Sequence, residues 1–197
     1  MSRTRIGLIA DTHIPEAGAT LWPQVFDAFR DVDVILHGGD VHDLGVVDEL
    51  AALAPIYVAR GNGDDGDGGR PVQPEHPQVK HVWTVELGGL RIGLTHTMPI
   101  PEIPPFHTVE RSLERLFGGE RLDVLIYGDT HVEDIETYAG VLCVNPGSPT
   151  LPHNHLPQLG TIGFLEIADG VPKASIWRLT DDGIEPYNWR DWRRVSG

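Results

Sequence analysis

The chain has 197 residues, 40% of them hydrophobic and 22% charged, which predicts a single globular domain over residues 1–197. Its formal net charge is −14 and its pI about 4.9, so its surface should repel long nucleic acids. The single cysteine, Cys143, excludes an internal disulfide and a cysteine-based zinc finger.

The amino-terminal sequence lacks the features of a secretory signal and of a membrane anchor. Its first apolar run, residues 6–10, is far too short to span a bilayer. No small-residue cleavage site follows a long apolar segment. We therefore expect a cytoplasmic protein without a membrane partner.

Nine short apolar runs, rich in β-branched residues and bounded by Gly, Pro, Asp or Asn, predict β-strands. Several are continuously apolar, which is typical of strands covered on both faces. In chain order the runs are residues 6–10, 32–36, 56–59, 82–87, 90–95, 124–127, 141–144, 162–167 and 174–179.

Three further segments repeat apolar residues at helical spacing, and Gly118-Gly119 predicts where the third helix ends. Tight hairpin turns are predicted at Gly88-Gly89 and at Ala139-Gly140. The alternating first half and the hairpin-rich second half predict two packed sheets with helices outside, an α/β fold. The helical segments are residues 21–29, 44–54 and 109–117.

Polar side chains follow five of the predicted strands, at the point where each strand ends. They are Asp, His and Asn, the oxygen and nitrogen ligands that divalent first-row metals prefer. A two-metal site needs about seven or eight such donors, including one bridging carboxylate. The strand ends are Asp11-Thr12-His13, Gly39-Asp40, Gly61-Asn62, Thr95-His96 and Gly128-Asp129-Thr130-His131.

The order of these motifs resembles the calcineurin-like metallophosphoesterase superfamily. The segment Asn145-Pro146-Gly147-Ser148 also resembles the small phosphodiesterase branch of that superfamily, the YfcE-type enzymes. The resemblance extends over residues 4–180, nearly the whole chain. It implies the metallo-dependent phosphatase fold, a four-layer α/β-β/α sandwich of two mixed β-sheets.

The resemblance also implies a function: hydrolysis of small phosphodiesters by a metal-bound hydroxide at a dinuclear site. Manganese is the expected metal, with iron, nickel, zinc and magnesium as alternatives. Asp40 and Asn62 would be central to catalysis, and Arg60 would hold a phosphate oxygen. By position, the metal ligands would be Asp11, His13, Asp40 and His131 for one ion, and Asp40, Asn62, His96 and Asp129 for the other.

Three positions depart from the family pattern. Asp129 stands where a histidine is usual, and the extra negative charge would leave the centre neutral instead of positive. Gly63 and Met98 stand where many relatives have histidines. General-acid catalysis would then depend on His42, on His107 or on a metal-bound water.

These departures keep two other hypotheses open. One is an interaction scaffold of the same fold that has lost catalysis, resembling the retromer subunit. The other is a sensor that binds a small phosphorylated ligand without hydrolysing it. We favour the enzyme, because six of the seven predicted ligands have the family's residue type and aspartate remains a competent ligand. A homo-oligomer is compatible with every hypothesis.

Several polar residues near the motifs have simpler interpretations. His37 lies in an apolar run and is expected to be a hydrogen-bonded core residue, whereas His42 stays open between the site and the surface. Asp43 is well placed to cap the second helix. Asp64 is expected to hold its loop or to orient a neighbouring histidine.

Overall fold

The computed structural model describes residues 3–191, which form two mixed β-sheets and three short α-helices. The first half contains β1 (Arg3–Ile9), α1 (Pro23–Ala28), β2 (Val34–His37), α2 (Leu44–Ala51), β3 (Ile56–Ala59) and β4 (Val79–Lys80). The middle contains β5 (Val82–Leu87), β6 (Leu90–Thr95), α3 (Val109–Phe117) and β7 (Val124–Ile126). The last part contains β8 (Asp134–Tyr138), β9 (Val141–Asn145), β10 (Thr161–Ala168), β11 (Val171–Thr180) and β12 (Gly183–Pro186).

The strand order brings the carboxyl ends of six parallel strands to one region. The first sheet has seven strands in the order β12-β11-β10-β1-β2-β3-β4, and β1 to β4 are parallel. The second has five in the order β5-β6-β7-β9-β8, and β6, β7 and β9 are parallel. Polar loops leave β1, β2 and β3 on one sheet and β6, β7 and β9 on the other, where ligands typically bind in α/β folds.

Three apolar clusters make the molecule four layers deep. Side chains such as Leu8 and Leu36 of the first sheet meet Ile92 and Ile126 of the second in a dry centre. The opposite face of the first sheet packs against α1 and α2. The outer face of the second sheet packs against α3. Complete burial of each such aliphatic side chain contributes about 1.5–3 kcal/mol, so both sheets hold the site loops firmly.

The predicted fold class is confirmed, and all nine predicted strands are present with small shifts at their ends. Gly118 caps α3 in a left-handed conformation, and Gly88 and Gly89 form the predicted hairpin turn with positive φ. Asp43 caps α2 by accepting a hydrogen bond from Gly45 N.

Three strands were not predicted: β4, β8 and β12. β4 has only two residues, and β12 is a four-residue edge strand that ends in proline. β8 carries Asp134 and Glu136 among its five residues, so it lacks a continuous apolar run. None of the helices between residues 3 and 191 is long and apolar enough to cross a bilayer.

Candidate metal centre

The predicted ligands lie on loops whose backbone is strained in a consistent way. Six residues of this region have positive backbone φ angles, between 47° and 74°, a conformation uncommon outside glycine. Such strain persists where the surrounding structure holds it, and it typically accompanies functional sites. The six residues are Asp11, His13, Asp40, His42, Asp129 and His131.

Backbone hydrogen bonds join the loops to one another. Asp11 N donates to the Gly39 carbonyl at 2.9 Å, and His13 N donates to the Asp40 carbonyl at 3.1 Å. In the second sheet, Gly128 N donates to the His96 carbonyl at 2.9 Å. Hydrogen bonds therefore link the loop after β1 to the loop after β2. They also link the end of β6 to the loop after β7.

Asp40 lies between two groups of donors. Its Oδ2 is 3.5 Å from His13 Nε2, and its Oδ1 is 3.5 Å from His96 Nε2. Gly63 N donates to the same Oδ1 at 2.8 Å, which fixes the orientation of the carboxylate. A carboxylate that presents one oxygen to each of two histidines has the geometry of a bridging ligand.

The first group consists of Asp11, His13 and His131, whose ligand atoms lie within 4.8 Å of one another. Asp11 Oδ1 is 4.0 Å from His13 Nε2 and 3.8 Å from His131 Nε2. All three side chains are buried. Two imidazole nitrogens and a carboxylate at this spacing can surround one cation.

The second group is centred on His96. Its Nε2 is 3.0 Å from Asn62 Oδ1 and 3.6 Å from Asp129 Oδ1. Asn62 Nδ2 donates to Asp67 Oδ2 at 2.8 Å, so the amide oxygen is the atom that faces His96. Asp11, Asp40 and His96 also bring ligand atoms within 4.8 Å of one another. The loops therefore bring together all seven side chains that the sequence analysis selected.

Hydrogen bonds to the ring nitrogens decide which nitrogen of each histidine faces the cluster. His96 Nδ1 is 2.7 Å from the Gly38 carbonyl, and His131 Nδ1 is 2.8 Å from the Leu151 carbonyl. A carbonyl only accepts, so each Nδ1 carries a proton, and Nε2 is the nitrogen of each ring that can bind a metal. Metal-binding histidines are held in this manner.

Unpaired buried atoms are an independent sign of a cation-binding site. Within residues 3–191, Asp11 Oδ2, His13 Nε2 and His42 Nε2 are buried and have no hydrogen-bond partner. An unpaired buried polar group costs about 1–3 kcal/mol, so folded proteins rarely retain one without a reason. The donor set and these three atoms fit a bound metal.

The pKa values of the site show how it responds to burial without a counterion. Burial raises the pKa of Asp11 to about 8, helped by Asp40 and Asp129 and opposed by His96. Burial lowers the pKa of His13 to about 3, and the imidazoles of His131 and His42 lower it further. For Asp40, burial is outweighed by the neighbouring histidines, and its pKa falls well below the usual range. At neutral pH a metal ion would therefore have to displace a proton from Asp11, whereas His13 would already be neutral and able to bind it.

A buried carboxylate outside the predicted ligand set holds two of the loops. Asp64 accepts backbone hydrogen bonds from Asp40 N at 3.1 Å, His42 N at 2.9 Å and Gly61 N at 2.9 Å. The expectation that Asp64 holds its loop is confirmed. By fixing the loop after β2 to the loop after β3, Asp64 determines where Asp40 points.

The motif that begins at Asn145 joins the two halves of the site. Asn145 Nδ2 donates to the Gly128 carbonyl at 2.8 Å and lies 3.1 Å from Thr130 Oγ1. Ser148 Oγ donates to the Asp11 carbonyl at 2.7 Å. The motif therefore supports the loops from behind and supplies no predicted ligand. The sequence carries no local signal for the Ser148 contact, which spans 137 positions.

Arg60 is placed differently from the expectation that it holds a phosphate oxygen. Its Nε donates to Asp65, and its other nitrogens donate to carbonyls of the same loop, including those of Asp64 and Gln73. The side chain is buried by these contacts. We therefore correct its role: Arg60 holds the loop that carries Asn62, because its donors are used within that loop.

The two histidines near the motifs, His37 and His42, have clear positions. His37 is fully buried, lies 3.2 Å from Thr12 Oγ1 through Nε2 and accepts from Gly39 N through Nδ1, so it is the expected core residue. His42 belongs to the site: its ring centroid lies 4.3 Å from that of His13, and its Nε2 lies 3.9 Å from Asp40 Oδ2.

Comparison with known proteins agrees with this geometry. A family model for the calcineurin-like phosphoesterase superfamily domain matches residues 4–170. A probable metallophosphoesterase from Methanothermobacter thermautotrophicus is 38% identical over 148 residues, 75% of this chain and 78% of that protein. A phosphodiesterase from Methanocaldococcus jannaschii is 27% identical over 169 residues, 82% of this chain and 92% of that protein.

The solved structures include several with the same fold. Vacuolar Protein Sorting 29 from Cryptosporidium parvum matches with a TM-score of 0.72 and 21% identity, covering 94% of this chain and 96% of that one. At this identity the match shows the fold alone. The family model, which covers most of the chain, and the 38% identical relative are more specific. The chain belongs to the calcineurin-like phosphoesterase superfamily.

Proposed function

We propose that this protein is a metal-dependent phosphodiesterase that hydrolyses small phosphodiesters at a dinuclear metal site. The observation that carries the proposal is Asp40, whose two carboxylate oxygens each lie 3.5 Å from a histidine of a different group. When bound, two divalent ions would lower the pKa of a coordinated water and neutralise the charge that develops at phosphorus.

The residues of the site would divide into two ligand sets that share Asp40. Asp11, His13 and His131 would complete one set, and Asn62, His96 and Asp129 would complete the other. Four of these seven residues offer oxygen and three offer nitrogen. Such an oxygen-rich set favours manganese over softer ions, although iron, nickel, zinc and magnesium remain compatible.

The surroundings of the site favour a small substrate. A pocket of about 240 Å³ lies beside Asn62 and His96, and its wall includes Thr97, His81 and Arg115. Arg115 is exposed on α3 and supplies positive charge next to an otherwise acidic centre. A net charge of −14 opposes the approach of long polyanions, whereas a small diester carries only one charge.

The scaffold alternative is supported by the fold that this chain shares with Vacuolar Protein Sorting 29. Against it, all seven predicted ligands are oriented toward one cluster, and strained backbone is retained at five of them. A scaffold has no physical need for that strain or for unpaired buried nitrogen and oxygen. The donor geometry therefore favours a bound metal, which the enzyme requires, and the scaffold is one outcome of the test below.

The test measures hydrolysis of bis(p-nitrophenyl) phosphate by chelator-treated protein, before and after Mn²⁺ is added. We expect turnover only with metal, and its loss in Asp40→Asn. Asp43→Asn is the matched control, because Asp43 lies three residues away, caps α2, and asparagine caps equally well. If the wild type binds Mn²⁺ yet hydrolyses no phosphodiester, the enzyme proposal is wrong and the sensor or scaffold replaces it.

A further inference from the structure

His42 is a buried histidine that the family's ligand pattern does not include. It lies between β2 and α2, two residues after Asp40, and its φ of 65° directs it toward the cluster. Its backbone N donates to Asp64 Oδ1 at 2.9 Å. The backbone of His42 is therefore held by the same carboxylate that positions Asp40.

The imidazole of His42 is oriented by a second carboxylate. Its Nδ1 lies 3.0 Å from Glu16 Oε2, and Glu16 is itself contacted by Arg70 Nε at 3.3 Å. An ionised carboxylate only accepts, so Nδ1 carries a proton, and Nε2 is the nitrogen that can bind a metal. A carboxylate bound to the far nitrogen of a histidine is the usual support of a metal-binding imidazole.

The lone pair of His42 Nε2 has no partner among the described residues, although the atom is buried. It lies 3.9 Å from Asp40 Oδ2, and the ligand atoms of His13, Asp40 and His42 lie within 4.8 Å of one another. An ordinary core histidine uses both nitrogens, as His37 does. In His42 only Nδ1 is used, and Nε2 lies next to the oxygen of Asp40 that faces His13.

Gly63 makes room for this imidazole. A Cβ atom at position 63 would lie 2.3 Å from His42 Nε2, far inside van der Waals contact. Any residue other than glycine there would displace the ring. Many relatives have a histidine at position 63. In this chain Gly63 leaves that space open, and the imidazole of His42 lies against it.

We propose that His42 is an additional ligand of the metal ion held by Asp11, His13, Asp40 and His131, with Glu16 as its orienting carboxylate. This inference rests on the metal site of the proposed function but not on the reaction. The neutral imidazole adds a fifth protein ligand without adding negative charge, which matters where Asp129 already brings a third carboxylate. It would tighten binding of that one ion and leave the ion at Asn62 and His96 nearly unaffected.

The test is Mn²⁺ binding to the metal-free protein, with His42→Ala, Glu16→Gln and the control His107→Ala. Free Mn²⁺ is measured by electron paramagnetic resonance during titration, and nitrogen couplings to bound Mn²⁺ are measured by pulsed methods. We expect His42→Ala to weaken one of two sites at least tenfold and to remove one directly bound nitrogen. Loss of an orienting partner weakens binding roughly 10- to 100-fold, so Glu16→Gln should weaken the same site without removing the nitrogen.

The two variants keep the inference testable if His42→Ala folds poorly, because Glu16 is partly exposed at the rim. His107 is an exposed loop histidine, so its replacement controls for loss of any imidazole. Wild-type affinities and nitrogen couplings in both His42→Ala and Glu16→Gln would overturn the proposal, as would a wild type that binds no Mn²⁺. Metal binding that depends on His42 without any phosphodiester hydrolysis would overturn the proposed function alone.

Discussion

Replacement of Asp64 tests whether this buried carboxylate, which is not a predicted ligand, holds the loops of the site together. Its side chain is 2% exposed and accepts three backbone hydrogen bonds, from Asp40, His42 and Gly61. Asp64→Ala leaves those three N–H groups without their acceptor. A hydrogen bond to a charged group contributes about 1.5–3 kcal/mol, so three such bonds predict a loss of about 4.5 kcal/mol even at the lower figure. Against a typical total stability of about 5–15 kcal/mol, this loss is severe.

Asp64→Asn refines the test, because it keeps the size of the side chain and one acceptor oxygen. The amide oxygen can replace Oδ2 toward Asp40 and Gly61, but the amide NH₂ would then face the His42 N–H. We expect a loss of about 2 kcal/mol, between the wild type and Asp64→Ala. Asp65→Asn is the control in the same loop, since the Asp65 side chain is partly exposed and pairs with Arg60.

Urea unfolding of the metal-free proteins, followed by circular dichroism, measures these differences in the free energy of unfolding. They are read from the shift of the transition midpoint, provided that the dependence of the free energy on urea concentration is unchanged. The control should lose less than Asp64→Asn, because the Asp65 side chain is partly exposed and the asparagine oxygen can still accept from Arg60 Nε. A loss under 1 kcal/mol for Asp64→Ala would refute the reasoning, because it would mean that water satisfies the three N–H groups. The loop that carries Asp40 would then be positioned by other contacts.

Three further predictions concern protons, Arg60 and the Asn145 motif. Because the Asp11 pKa is raised to about 8 in the folded protein and is about 3.9 when unfolded, Asp11 favours folding at low pH and progressively loses that contribution as pH rises to 8. The melting temperature of the metal-free protein should therefore fall as the pH rises from about 5 to 8, and Asp11→Asn, which cannot titrate, should flatten this fall; an unchanged slope in the variant would contradict the assignment. Arg60→Lys should lower stability with little change in KM for bis(p-nitrophenyl) phosphate, whereas a several-fold rise in KM at unchanged stability would restore Arg60 as a phosphate ligand. Asn145→Ala should cost about 2–3 kcal/mol in urea unfolding, because it removes three buried hydrogen bonds, and an Mn²⁺ titration should show weaker binding because the Asp129 loop loses its support.

The strand pattern was readable from the sequence because each central strand is buried on both faces. A strand such as β7, with all three residues buried, is continuously apolar, and the polar residues that follow it lie where the strand ends. Asp11, Asp40 and His96 could be selected in this way without any structure. The edge strands were harder to find, since β8 and β12 carry charged residues and contribute little to the core.

The partners of the supporting residues could be found only in the folded chain. Asp64 is adjacent to the Asn62 motif, yet two of its hydrogen bonds go to a loop more than 20 positions away. His42 and Glu16 are separated by 26 positions, and nothing in either segment shows that a carboxylate orients the imidazole. Arg60 is the opposite case, because its position in the sequence suggested the wrong partner. It lies next to a metal loop, which suggested a phosphate contact, but in the structure it donates to Asp65 and to carbonyls of its own loop.

The sequence by itself determined which residues are the metal donors and in what order they come. Their types can be read directly, and the end of each apolar run shows where a strand ends and its polar residues begin. The tertiary structure decided which donors share an ion, which nitrogen of each histidine is free and which residues support the loops from behind. These properties depend on distances between segments that are far apart in the chain, such as the 2.7 Å from Ser148 Oγ to the Asp11 carbonyl. Side-chain type is local information, whereas the direction of a lone pair is set by packing and hydrogen bonds across both sheets.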